Sequence, residues 1–160
     1  MLVRLRDAIL LAAVGAALAV LPGDVGAAGN GDASATRLAT LEDVLIARDS
    51  GDVEALEQAF DRLEAALKAG EITSRRYNRP WLAFSTGKFE HANTVDEWAA
   101  AFPQSPHPHA AKGRRAQYVG LIFRGEETVS RTPRGAMIHA RREFRAARSH
   151  YTDALSKLPD

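Results

Sequence analysis

His107 and His109 stand two residues apart in the stretch Ser105-Pro-His-Pro-His-Ala110, and they are the first side chains to ask for chemistry. Prolines before each of them hold the chain extended, and from an extended segment two imidazoles at that spacing could chelate a metal. On a helix the same spacing points them to different sides. A structural zinc site usually needs four ligands, and neither an HxxxH pair nor a local carboxylate pair is present. We therefore read both histidines as exposed on a helix-opening turn and expect no metal and no cofactor. His91, His139 and His150 read as polar surface residues.

Nucleophilic chemistry finds no support either. The chain has no cysteine and no GxSxG elbow, so acyl transfer by the common routes is unsupported and no catalytic residue is assigned. If the protein were an enzyme, its acid and base groups would be dispersed, with Glu90, His91 and Glu126 as the candidates. A basic strip is the stronger signal. Arg134, Arg141, Arg145 and Arg148 fall on one side of a helix, with Arg142 adjoining, and such a strip can hold carboxylate or phosphate groups through forked bonds. Arg141, Arg145 and Arg148 are thus binding candidates, together with Trp81. Nucleic acid is not the expected ligand, because no aromatic residues interleave with these arginines and the chain carries an export signal. An anionic membrane surface is the alternative anion. The bland reading is that the strip pairs inside the fold with an acidic helix, and surface ion pairs are weak witnesses to anything more.

Those side chains need elements to carry them. Arg4 and Arg6 followed by the apolar run Ala8 to Leu21, a Pro22-Gly23 break and small residues through Ala28 read as a signal peptide over 1–28. The run is shorter than the about 20 residues of a membrane span, so no stable span is expected after cleavage, and the protein should be periplasmic or secreted. Without cysteine the exported domain must stand without disulfides. Residues 29–35, GNGDASA, read as a flexible linker, and 36–160 as a single α-helical domain.

Charge is polarised along that domain. Residues 29–104 hold 8 Lys and Arg against 13 Asp and Glu, whereas residues 105–160 hold 11 against 5. The two halves could attract each other or steer a charged partner.

Apolar spacing gives the helices. Leu38, Leu41 and Leu45 recur at helical spacing up to Ser50 and Gly51. Val53, Leu56, Phe60, Leu63 and Leu67 form one stripe, with Glu54, Glu57, Asp61, Glu64 and Lys68 facing water and Gly70 as the stop. Thr36 to Ala69 is then an antiparallel hairpin. Trp81, Leu82 and Phe84 suit a short turn of helix pressed onto it, with Arg75, Arg76 and Arg79 pairing to the acidic helix. A short helix capped by Asn93 or Thr94 carries Trp98 and Phe102 to Pro103. Ser105 and Pro106 open the next helix, which ends at Arg124 and Gly125. Gly113, Ala116 and Gly120 leave one side of it almost bare for a neighbouring backbone, while Tyr118, Val119, Ile122 and Phe123 are its bulky part. The last helix, capped by Thr132, runs to Leu158. It places Met137, Phe144, Tyr151 and Leu158 seven apart, with Ala140, Ala147 and Ala154 between them. That seam can fill the domain's own core or form half of a dimer, and we favour the core.

Trp98, the Pro103-Gln104-Ser105 segment, the Tyr118 region, Arg124-Gly125 and the run Phe144 to Leu155 together resemble a bacterial family of exported helical domains of unknown function, similar to tetratricopeptide repeats. Ile122 and Phe123 stand where that family usually has a tryptophan. The resemblance covers about half of the exported chain. It implies an all-α fold of antiparallel hairpins stacked in a tetratricopeptide-like array without a sheet; such domains look as if they continue into further hairpins where this sequence stops at Asp160, which suggests a small terminal version or a chain that completes its stack on a partner. It implies a fold more than a function and leaves two classes open, a non-enzymatic scaffold that binds a protein or peptide in a groove, as repeat-like helical domains commonly do, and the dispersed-site enzyme above.

Overall fold

Thr40 opens the first helix, its hydroxyl accepting from Asp43 N while the Asp43 carboxylate accepts from Thr40 N, the reciprocal pair of a capping box. The computed structural model describes residues 37–126 and 129–158, so the segments read above as a signal peptide and a linker, and Asp160, lie outside the described residues. Six helices follow in order: α1 (Leu41–Ser50), α2 (Val53–Ala69), α3 (Ser74–Asn78), α4 (Phe89–Ala101), α5 (Pro106–Arg124) and α6 (Arg134–Ser156). A 3-10 turn, Pro80–Phe84, lies between α3 and α4. The described residues contain no strand, and the fold is all-α. None of their helices is long and apolar enough to cross a membrane.

Gly51 ends α1 at φ 73°, and Asp52 at once caps α2 by accepting from Ala55 N at 2.9 Å. Leu56, Phe60, Leu63 and Leu67 are buried as the stripe requires. On α1, Leu41 and Leu45 pack partly buried against the core, as does Leu38 before it, in keeping with their spacing. Val44, Ala47 and the Arg48 stem are buried, whereas Ile46 is exposed. Arg48 is accommodated because its guanidinium donates to Ala83 O and to Asp49 Oδ1.

Four aromatics from three elements form the core of this body. Phe60 on α2 meets Trp81 at 4.1 Å between centroids and Trp98 at 5.7 Å, while Phe84 meets Trp98 at 5.8 Å. Helix α4 starts at Phe89, earlier than the Asn93 or Thr94 cap expected for it. Thr94 is buried within α4, its hydroxyl donating to Arg48 O at 3.3 Å, because a small polar group there satisfies a carbonyl near the end of α1.

α5 docks its first half on the body, and in its distal half pairs mainly with α6, with Ile122 still lying beside Gly87. Ser105 caps it, accepting from His107 N at 3.1 Å, and Ala110 and Ala111 are buried. α6 runs antiparallel along α5, and the glycine face is filled by rings rather than by a bare backbone. A Cβ on Gly113 would lie 2.9 Å from the Tyr151 ring, and one on Gly120 would lie 2.8 Å from the Phe144 ring and 3.3 Å from Ala140 O. Thus the heptad seam is consumed within the chain, with Ala140, Ala147, Ala154 and Leu158 buried. Thr132 does not cap α6. Pro133 occupies that position without a side-chain bond, and the Thr132 hydroxyl donates back to Arg124 O at 3.2 Å, fastening the loop to the end of α5.

Candidate functional site

The carboxylates of α2 are not simply a solvated face. Glu57 and Asp61, one turn apart, point toward the first turn of α5, where His107 is only 3% exposed. Pro106 and the Ser105 cap fix the backbone of that turn, so the imidazole has little freedom. His107 Nε2 lies 3.3 Å from Asp61 Oδ1 and 3.5 Å from Glu64 Oε2. Glu57 Oε2 accepts the Trp98 indole N–H at 2.7 Å, and Lys68 pairs with Glu64. The donor atoms of Glu57, Asp61 and His107 all lie within 4.8 Å of one another. They line an open cleft of about 370 Å³, whose far wall is Lys157 and Leu158 just after α6. The hydrogen bond from His107 holds the Asp61 carboxyl below its usual range, against the opposing effect of burial.

This overturns the reading of His107 as an exposed residue. Nearest-neighbour spacing along the chain pairs it with His109, but its real partners are 46 and 43 residues upstream on α2. The usable signal was the set Glu57, Asp61 and Glu64 on one helical face of an otherwise apolar-striped helix.

His91 is also corrected. It is buried, with Nδ1 at 3.0 Å from Thr86 Oγ1 and Nε2 at 3.1 Å from Asp49 Oδ1. Burial and the neighbouring Arg48 charge push its pKa down. Glu90 and Glu126, its expected partners in a dispersed site, are exposed, whereas His91 is turned inward.

The second feature lies on the distal half of the α5–α6 hairpin. Arg134, Ile138, Arg141, Arg145 and Arg148 share one side of α6 at helical spacing, and all are exposed, Ile138 by 59%. Among the described residues no ion pair holds these arginines, so the expected pairing with the acidic α2 is not formed. The reason is geometric: α6 packs along α5, and only its C-terminal end reaches the cleft beside α2. Arg75, Arg76 and Arg79 are likewise exposed. On the opposite flank Phe123 stacks on His139 at 5.1 Å, and both remain accessible. Tyr118 and Ile122, from the bulky part of α5, are exposed, as is Phe89 at the start of α4. Trp81, the remaining binding candidate, is buried in the aromatic core and contributes no surface.

Compared with known proteins, the chain matches no family model, no curated protein and no solved structure.

Proposed function

We propose that the chain is an exported, non-enzymatic helical scaffold that binds a protein segment carrying an apolar stripe flanked by carboxylates. On this reading it joins the exported bacterial family it resembles, its hairpins stack in the manner of tetratricopeptide repeats, and the signal-like start delivers it to the periplasm or the exterior. The observation that carries the proposal is the outer face of α6, where Ile138 sits among Arg134, Arg141 and Arg145. Unpaired arginines beside an exposed isoleucine complement an acidic amphipathic segment in both charge and polarity. Tyr118, Ile122 and Phe123 extend the exposed apolar surface onto α5.

The test uses two synthetic amphipathic peptides with the same apolar stripe, one flanked by Glu and one by Lys. The Glu peptide should bind saturably and the Lys peptide should not. Reversing Arg141 and Arg145 to Glu should weaken binding by about tenfold or more while leaving Tm unchanged, since exposed charges contribute within about 0.5 kcal/mol. Added salt should weaken it as well, because charges more than about 8 Å apart are screened at physiological ionic strength. Equal binding of both peptides, or binding to anionic vesicles in place of the Glu peptide, would overturn the proposal.

A further inference from the structure

We propose that Glu57, Asp61 and His107 form a site for one divalent transition cation of the zinc class, independent of the hairpin surface. The argument rests on distances. A histidine held by carboxylates through charge-assisted hydrogen bonds sits about 2.7–2.9 Å from their oxygens. His107 Nε2 instead lies 3.3 and 3.5 Å from Asp61 and Glu64, and it has a single N–H to offer two carboxylates. The spacing between His107 and Asp61 suits a different occupant. With metal–nitrogen and metal–oxygen bonds of about 2.0–2.2 Å, adjacent donors of a tetrahedral site stand roughly 3.3–3.5 Å apart. A small inward movement of Glu57, whose carboxylate is already within 4.8 Å of the other donors, closes a three-ligand set.

The surroundings fit that reading. The Trp98 N–H on Glu57 Oε2 orients that carboxylate and leaves its second oxygen free to ligate. Lys68 draws Glu64 aside, which makes it an outer acceptor for a metal-bound water rather than a fourth protein ligand. Asp61, 64% exposed in its side chain, provides the route by which an ion and its remaining water reach the site. The imidazole donor selects for zinc-class metals over magnesium and calcium, which prefer all-oxygen shells.

Calorimetry of the untagged full-length chain with Zn²⁺ alone is the test. One ion per chain should bind, a large excess of Mg²⁺ should not displace it, and Zn²⁺ should raise the Tm of the wild-type chain. Asp61→Asn, which alters an exposed side chain, should lose the site with an unchanged circular dichroism spectrum, and His107→Gln should lose it too. His139→Gln, remote from the cluster, should bind as wild type. The absence of any Zn²⁺ binding or Tm rise in the wild type would overturn the proposal. So would binding that survives Asp61→Asn, that falls equally in His139→Gln, or that Mg²⁺ displaces.

Discussion

The body built from α1 to α4 and the distal half of the α5–α6 hairpin solve the packing problem with opposite materials. In the body, Phe60, Trp81, Phe84 and Trp98 interlock from α2, the 3-10 turn and α4, so each ring is covered from several directions. In the arm there are only two helices, and contact is made by pressing Tyr151 and Phe144 onto Gly113 and Gly120. A two-helix layer has an inside but must leave its outer faces open. That is where Tyr118, Ile122, Phe123 and Ile138 are exposed. The polar groups divide in the same way. Arg48, His91 and His107 in the body and at its junction with α5 have partners and are buried, whereas the arginines of α6 face solvent. Surface left without an internal role is the surface available for recognition.

Removing the central ring of the body should have the largest effect. Trp98 is fully buried, and its indole N–H occupies Glu57. Trp98→Ala should therefore cost about 3–5 kcal/mol through the cavity alone, with the freed carboxylate adding to it. Urea unfolding followed by circular dichroism should show a collapsed or absent transition, and an unchanged midpoint would mean that the body does not depend on this cluster. The corresponding lesion in the arm should be milder and local. Gly120→Ala forces a methyl against the Phe144 ring and Ala140 O, an overpacking that costs about 1–3 kcal/mol, while alanine's better helix propensity returns about 1 kcal/mol. We expect a net loss of about 1 kcal/mol, with faster hydrogen exchange in the facing parts of α5 and α6. Fluorescence of the two tryptophans, both in the body, should melt as in the wild type. A variant that unfolds both regions together would erase the distinction between them.

How much of this the sequence disclosed depends on the range of the interaction. The α2 stripe, the Gly51, Gly70 and Gly125 stops and the Ser105 cap were all legible, since each rests on residues within a turn or two of one another. The seven-residue spacing of Phe144 and Tyr151 was legible too, and so was that of Gly113 and Gly120. That one set fits into the other was not, because spacing within each helix does not say which helices meet. The start of α4 was misplaced for a similar reason. Thr94 has the chemistry of a cap, yet the carbonyl of Arg48, 46 residues away, claims its hydroxyl. The histidine–carboxylate cleft was hidden most completely. Its groups come from α2 and α5, and nothing near His107 in the chain signals that it will be buried.

The smallest predicted effect concerns His91 and tests whether the body's polar groups are structural. In the neutral imidazole, one ring nitrogen can donate to Asp49 and the other accept from the Thr86 hydroxyl, so both are served. Protonation removes the acceptor and places a cation in a buried position beside Arg48, which is why burial first and Arg48 second lower its pKa from 6.5. A base with a depressed folded pKa binds fewer protons in the native state than in the unfolded one. Its stabilisation is therefore complete above about pH 6.5 and is lost as pH falls toward the folded value. Burial lowers His109 and His150 in the same direction, so the wild-type Tm should decline on acidification below that pH. His91→Asn should start lower at pH 7.5, because it surrenders the paired imidazole, and then decline less steeply on the acid side, with His109 and His150 supplying the remainder. Thermal melts of both chains across pH 7.5 to 5 decide it. Parallel curves would mean that His91 titrates alike in the folded and unfolded states, and that the body, like the arm, leaves this charge to the solvent.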